Sequence, residues 1–203
     1  MLSCRSRLAI SVICLGLTAC STMSPKECQF ADWRAIGLTD GMAGKPLTHF
    51  DDRRSDCAEA NVQADTKAYL HGREQGLKSY CQLGNAAQLG LRGETYEGVC
   101  PAGIDKEFRR RYRIGADIRR FNTEIARLNE RLDALERQLR RNRHDFDHRL
   151  ESPNKHGELQ RIYREYERDQ SQIREEHGAI LNSLHWNQEQ MRNAEAMLDK
   201  LPQ

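Results

Sequence analysis

The second half of the chain carries apolar residues at alternating spacings of four and three. They are Ile114, Ile118, Phe121, Ile125, Leu128, Leu132, Leu135 and Leu139. This is the a/d pattern of a heptad repeat, which predicts a long helix with one apolar seam. Phe146 and Leu150 continue the stripe after Asn142.

A second, sparser stripe follows a segment that contains two helix breakers. The breakers lie within Ser152-Pro153-Asn154-Lys155-His156-Gly157, which predicts a turn. The second stripe comprises Leu159, Ile162, Tyr166, Ile173, Ile180, Leu184, Met191, Leu198 and Leu201. Polar residues occupy several of its seam positions, which leaves room for an external helix to complete the seam.

The two predicted arms carry opposite net charge. Residues 104–151 hold 14 basic and 10 acidic side chains (net +4), and residues 157–203 hold 6 basic and 9 acidic ones (net −3). An antiparallel fold-back pairs these charges, whereas a parallel homodimer places like charges together. We therefore predict an antiparallel coiled-coil hairpin over residues 104–203 with its turn at 152–157. This register would bring Arg137, Arg140, Arg141 and Arg143 near Glu165, Glu167 and Asp169.

The first half predicts shorter helices. Ser24-Pro25-Lys26-Glu27 has the features of a helix start, and that helix is predicted to continue until Gly44-Lys45-Pro46. A polar helix is predicted over 48–60, and a third begins at the cap residue Asp65 and ends at Cys81. Residues 82–99 are rich in glycine and predict a loop or a small hairpin.

A weak internal repeat runs through these helices. Trp33-x3-Gly37-x3-Gly41 recurs as Tyr69-x2-Gly72-x3-Gly76, and Tyr112-x2-Gly115 is a degenerate copy. Glycines four apart lie on one face of a helix, where they allow close packing of another helix or form the floor of a ligand groove. The candidate binding face comprises Trp33, Gly37, Asp40, Gly41, Tyr69, Gly72, Gly76 and Tyr96.

The N-terminus predicts export. Arg5 and Arg7 precede an apolar run from Leu8 to Leu17, which is typical of a secretory signal and too short to span a membrane. The sequence Leu17-Thr18-Ala19-Cys20 is similar to a bacterial lipobox. We therefore predict that residues 1–19 are removed, that Cys20 is acylated, and that residues 20–27 form a tether. Ser21 is not the aspartate that commonly retains lipoproteins in the inner membrane, which favours the outer membrane.

Four cysteines remain after Cys20. They are Cys28, Cys57, Cys81 and Cys100, an even number in an oxidising compartment, which indicates two disulfides. A structural zinc site is the alternative, but such sites use close C-x-x-C pairs, and none is present. Three pairings are possible, and we favour Cys28–Cys57 and Cys81–Cys100 because an antiparallel pair of the first two helices brings Cys28 near Cys57.

Several motif blocks in the first half resemble a known family. The blocks are Asp32-Trp33-x3-Gly37-x2-Asp40-Gly41-x2-Gly44, Tyr69-x2-Gly72-x3-Gly76-Leu77-x2-Tyr80-Cys81 and Gly90-x2-Gly93-x2-Tyr96-x-Gly98-Val99-Cys100-Pro101. Together they resemble the bacterial lipoproteins of domain of unknown function family 2799, over about residues 24–120. The resemblance implies an exported lipoprotein, and it carries over no catalytic residues because none are established for the family.

Other candidate chemistry is weak. The basic run Arg109, Arg110, Arg111 and Arg113 could contact an anionic envelope polymer, or form a solvated helix face that pairs with the second arm. His144 and His148 have helical i, i+4 spacing and His156 is a conceivable third metal ligand, but the pattern lacks the base of an H-E-x-x-H site. Loss of Arg5 and Arg7 leaves 30 basic residues against 30 acidic ones, so net charge indicates no polyanionic partner and no nucleic acid.

The sequence thus predicts a mainly α protein with a disulfide-linked head at 28–103, a glycine-rich loop and a long helical hairpin. We expect no enzymatic activity, cofactor or metal. The favoured function is a structural or protein-interaction module that is anchored in the outer membrane and faces the periplasm of a Gram-negative bacterium. The alternative is a binder of a small ligand or envelope polymer through the head.

Overall fold

The computed structural model describes residues 22–151 and 156–202, and all regular structure within these ranges is α-helical. The helices are α1 (Pro25–Gln29), α2 (Trp33–Met42), α3 (Thr48–Glu59), α4 (Thr66–Tyr80), α5 (Leu83–Arg92), α6 (Ala102–Glu151) and α7 (His156–Asp199). None of the helices in these ranges combines the length and apolarity needed to cross a membrane. The mainly α fold class is confirmed. The signal segment and Cys20 lie outside the described residues.

The first predicted helix is divided in two. Ser24 and Glu27 form a capping box at the start of α1, with Ser24 N donating to Glu27 Oε2 at 2.7 Å. The helix ends at Gln29, and Asp32 then caps α2 by accepting from Ala35 N at 3.0 Å. The prediction of one helix up to Gly44 is wrong because the Asp32 carboxylate satisfies the free N–H groups of a second helix start.

Residues 82–99 do not form the predicted loop or hairpin. Residues 83–92 form α5, whereas Gln82 and the segment from Gly93 to Pro101 lack helical structure. Ala86, Ala87 and Leu89 are buried along one side of α5. This prediction is wrong because contacts with α6 offset the cost of glycine in a helix, about 1 kcal/mol against alanine. Gly93 ends α5 in the left-handed conformation, with φ of 75°.

Both disulfides have the predicted pairing. Cys28–Cys57 joins α1 to α3 with the Cα atoms 5.4 Å apart. Cys81–Cys100 joins the end of α4 to the residue before Pro101, with the Cα atoms 5.6 Å apart. All four cysteines are buried. The disulfides therefore hold short helices that could not form a large core on their own.

The head, which we define as residues 22–117, contains two helix pairs built on one plan. Module 1 pairs α2 with α4, and module 2 pairs α5 with the start of α6. The two modules share the same spacing of cysteine, tyrosine and glycine. Module 1 contains Cys28-x8-Gly37 and Cys57-x11-Tyr69-x2-Gly72, and module 2 contains Cys81-x8-Gly90 and Cys100-x11-Tyr112-x2-Gly115. The weak sequence repeat is therefore a repeated, disulfide-linked helix pair.

Helices α6 and α7 pack antiparallel and form the arm. The contacting pairs, from the free end towards the head, are Phe146 with Tyr166, Arg131 with Glu176, Phe121 with Trp186 and Arg111 with Pro202. Residues 152–155 of the predicted turn lie outside the described residues. Because α6 begins at Ala102 and its Phe108 belongs to the buried core of the head, one helix connects head and arm.

The seam of the arm differs in part from the predicted stripes. The α6 stripe from Ile114 to Leu139 is buried or half-buried throughout. On α7, Leu159 is 43% exposed, whereas Asn187 and Ala194 fill buried seam positions. The prediction that Leu159 belongs to the seam is therefore wrong. The apolar pattern did not predict Asn187 and Ala194 as seam residues because neither is a large apolar residue. Asn187 is satisfied by donating from Nδ2 to Ser183 O at 2.8 Å.

The charge pairing between the arms also differs from the prediction. Arg140 pairs with Glu136, and Arg143 pairs with Asp147, both on the same helix. The ion pairs that cross the seam are Arg131–Glu176 and Arg149–Glu165. Arg140 and Arg143 thus take ionic partners on α6, because i, i+4 neighbours on one helix are always within reach. Arg143 also hydrogen-bonds Tyr166 of α7, within the segment that the fold-back register predicted for this cluster.

Candidate functional site

The four glycines of the predicted binding face lie where α2 crosses α4. A Cβ atom on Gly37 would be 2.0 Å from Tyr69 O, and one on Gly72 would be 2.0 Å from Arg34 O. Gly41 and Gly76 meet the opposite helix equally closely, with the nearest backbone oxygens at 2.3 and 2.2 Å. The backbone of each helix thus covers the glycines of the other. The packing interpretation is correct for these four positions, and the groove interpretation is wrong there.

The aromatic members of the face form the core of module 1. The Trp33 ring lies edge-on to Phe50 with centroids 5.9 Å apart, and Phe50 stacks on Tyr69 with centroids 4.2 Å apart. Tyr69 is fully buried and Trp33 is 7% exposed. These rings stabilise the head and offer no surface to a ligand.

Asp40 is the polar centre of module 1. It is only 4% exposed, and its Oδ2 accepts a hydrogen bond from the Tyr69 hydroxyl at 2.9 Å. The same oxygen forms an ion pair with Arg53. Burial and the neighbouring Asp40 raise the pKa of Tyr69 well above its ordinary value. The hydroxyl therefore stays protonated and acts as a donor, so the arrangement links α2, α3 and α4 and provides no acid–base pair open to substrate.

Tyr96 belongs to a different cluster. Its hydroxyl donates to Asp105 Oδ1 at 2.6 Å and accepts from Cys100 N at 3.1 Å, and the Arg109 guanidinium lies 5.1 Å from its ring centroid. Burial and the hydrogen bond to Asp105 raise the pKa of Tyr96 to about 12. Because Tyr96 lies in module 2 and Trp33 in module 1, the predicted face does not form one site.

The basic run is largely engaged within the chain. Arg109 pairs with Asp105 at 2.7 Å, and Glu107 forms ion pairs with both Arg110 and Arg111. Arg111 is 5% exposed and donates to Pro202 O, which holds the end of α7 against α6. Contact of this run with an anionic polymer stays a prediction, and these ion pairs would compete with it.

The histidine pair has no surrounding ligand set. Nδ1 of His144 lies 3.7 Å from Asp145 Oδ1, and both side chains are exposed. No group of three or more His, Cys, Asp or Glu that could hold a metal occurs among the residues described. The side chain of His156 lies outside them.

Two features near the N-terminal end of the head were not predicted from the sequence. Asp56, on α3, accepts hydrogen bonds from Thr22 N at 2.5 Å, Thr22 Oγ1 at 2.7 Å and Met23 N at 3.0 Å. Phe30, at the end of α1, is 79% exposed. A polar helix and an isolated phenylalanine carry no sequence signal, so only the fold reveals that both residues lie near Thr22.

Comparison with known proteins agrees with the division between head and arm. The matching family model covers residues 32–117, from the N-cap of α2 to just beyond Gly115 of module 2. No curated protein and no solved structure matches the chain. Both glycine crossings and three of the four disulfide cysteines lie within the matched range. Residues 32–117 thus match the model of the family described as protein of unknown function (DUF2799).

Proposed function

We propose that the protein is a lipoprotein anchored in the outer membrane, facing the periplasm, and that its arm binds a protein of the cell envelope. The anchor is Cys20, at the end of Leu17-Thr18-Ala19-Cys20. Two buried disulfides support an exported protein because such bonds persist in oxidising compartments. We propose no catalytic role.

The arm is continuous with the head through one helix. The single helix α6 has 50 residues, which corresponds to about 75 Å at 1.5 Å per residue. Phe108 near its start is fully buried in the head, and Arg111 binds the end of α7. The head therefore sets the direction of the arm, as a spacer or presenting element requires.

The observation that carries the proposal is the set of large apolar side chains that α7 exposes to solvent. They are Leu159, Tyr163, Leu181, Trp186 and Met197, at 43, 45, 46, 55 and 53% exposure. A single exposed leucine is ordinary, but exposed tyrosine and tryptophan are enriched where proteins bind one another. The alternative, a ligand or polymer binder through the head, lacks comparable support because backbone covers the glycines.

Site-specific photocrosslinking in living cells tests the arm. A photoreactive phenylalanine replaces Tyr163 or Trp186 on the arm, and Lys67 on the head serves as the matched exposed control. We expect the same protein adduct from both arm positions and none from position 67. Adducts confined to position 67 would show that the head, not the arm, binds the partner.

A shortened arm provides the second measurement. Replacement of residues 129–179 by a short Gly/Ser turn joins Leu128 to Ile180, which belong to the same seam cluster, and leaves the head unchanged. We expect this protein to remain in the outer membrane and to lose partners that contact the removed segment. The anchor is tested separately by Cys20→Ala, which should remain an uncleaved or mislocalised precursor. Fractionation of Cys20→Ala like the wild type would contradict lipid anchoring.

A further inference from the structure

The N-terminal end of the head is held firmly just after the predicted anchor. Thr22 and Met23 donate three hydrogen bonds to Asp56, the neighbour of Cys57. Cys57 is bonded to Cys28, so the segment from Thr22 to Cys28 is attached to α3 at both ends. Thr22 is therefore a fixed point of the head.

Covalent geometry then limits the distance between lipid and head. Cys20 precedes Thr22 by two residues, and an extended chain spans at most 3.3–3.6 Å per residue, so their Cα atoms are within about 7 Å. The head surface around Thr22 must consequently lie at the bilayer whenever Cys20 is acylated.

Phe30 lies on this same surface. Thr22, Glu27, Phe30 and Arg53 line one shallow depression next to the N-terminal end of the head. Phe30 is the most exposed large hydrophobic residue that the structure describes, at 79%. Lys26, on α1, is also exposed and precedes Phe30 by four residues.

We propose that the head lies directly on the bilayer, with Phe30 inserted at the boundary between headgroups and acyl chains beside the lipid anchor. The inference rests on the proposed acylation of Cys20. An exposed aromatic ring four residues after an exposed lysine suits this boundary, since apolar groups enter the acyl region while ammonium groups stay near lipid phosphates. The occupant of this surface is phospholipid, because the lipid on Cys20 places the surface next to the bilayer. The head is thereby oriented as well as anchored.

Fluorescence quenching by brominated acyl chains tests the proposal. Full-length protein is purified from bacterial membranes, its acylation is verified by mass spectrometry, and it is reconstituted into vesicles of phosphatidylethanolamine and phosphatidylglycerol with brominated chains. The variants are Phe30→Trp and, as a matched control on the arm, Leu181→Trp; the emission of Trp33 and Trp186 is subtracted using the parent protein. Both positions are exposed, so neither change should disturb folding.

We expect the emission of the indole introduced by Phe30→Trp to fall about twofold, because interfacial groups lie about 5–10 Å into the headgroup and acyl boundary. The emission of the indole introduced by Leu181→Trp should be unchanged. Acylated protein with no quenching at position 30 would overturn the inference and leave the lipoprotein proposal intact. Protein without acyl chains would overturn both. Equal quenching at positions 30 and 181 would overturn the proposed orientation.

Discussion

A Cβ atom on Gly37 would lie 2.0 Å from the carbonyl oxygen of Tyr69. The obstructing atom belongs to the backbone of α4, so no rotation of a side chain relieves the clash. The equivalent glycine of module 2, Gly90, meets Tyr112 O at 2.2 Å. Close contact of two helix backbones is therefore the structural rule of the head, and it explains why glycine occurs inside both helices.

Gly37→Ala should destabilise the head. We expect the free energy of unfolding to fall by about 1–3 kcal/mol or more, because overpacking must separate two helices. Gly90→Ala should have a similar effect in module 2. The matched control is Gly84→Ala on α5, where a Cβ meets nothing within 4 Å. It should raise stability by about 0.5–1 kcal/mol. Urea unfolding followed by circular dichroism measures all three, and equal effects at Gly37 and Gly84 would contradict the packing argument.

Asp40→Ala should also be costly. The change leaves the buried Tyr69 hydroxyl and the Arg53 guanidinium without their shared acceptor, and breaking a buried pair costs about 3–5 kcal/mol. We expect the lower end of this range because the Arg53 side chain is 21% exposed and can reach water. Asp51→Ala, which removes the exposed partner of Arg54, should cost only about 0–1 kcal/mol. Similar losses from both variants would show that Asp40 is not the polar centre of module 1.

Each disulfide should stabilise its own module. Cys28 and Cys57 are 29 residues apart and Cys81 and Cys100 are 19 apart, and loops of these lengths correspond to about 3 kcal/mol each in the chain-entropy model. Replacing Cys28 and Cys57 together by alanine should increase amide exchange in α1 and α3 more than in α5. Non-reducing peptide mapping of the natural protein should find both bonds. Exchange that rises uniformly through the head would mean that the modules are not separate units.

The hairpin should crosslink within one chain. The rings of Phe146 and Tyr166 stack with centroids 4.1 Å apart, so Phe146→Cys with Tyr166→Cys places two thiols across the seam. A short bismaleimide should join them in dilute solution and leave the native disulfides unreacted. The control pair Phe146→Cys with Leu181→Cys should not react intramolecularly, because Leu181 lies beyond Glu176, which pairs with Arg131. Dimers alone in mass spectra of the first pair would refute the antiparallel hairpin.

Acid should release the N-terminal segment from α3. Hydrogen bonding by the Thr22 hydroxyl, and then by the backbone N–H of Met23, lowers the pKa of Asp56 below its ordinary value of 3.8. A lowered pKa in the folded state means that the contribution to stability is complete well above pH 3.8 and disappears as pH falls through the lowered value. Amide exchange at Thr22 and Met23 should therefore rise in acid before the core unfolds. Asp56→Asn should remove this pH dependence, and its persistence in that variant would exclude Asp56 as the titrating group.

Local signals made much of this architecture predictable. Ser24 and Asp65 cap helices as expected because a cap depends only on the next few residues. The α6 stripe from Ile114 to Leu139 predicted the seam because its period depends on helix geometry alone. Both disulfide pairings were also predictable, since an antiparallel pair of the first two predicted helices brings Cys28 near Cys57, and Cys81 and Cys100 flank the glycine-rich stretch 82–99.

Other features depended on atoms distant in the sequence. At Gly90 the backbone of α5 lies directly against the backbone of α6 at Tyr112, and Gly37 is covered by α4 in the same way. Both contacts join residues distant in the sequence, so local signals could not predict that 83–92 is helical or that the predicted groove is closed. Arg140 and Arg143 form ion pairs with residues on their own helix. Asn187 lies in the seam although it is polar, because its side-chain amide donates a hydrogen bond to Ser183 O. The sequence by itself thus determined the helix caps, the seam and the disulfides, because each rests on short-range geometry or the period of a helix. The tertiary structure alone decided which glycines are covered, which charges pair and where Phe30 is exposed, because these depend on which backbones come into contact.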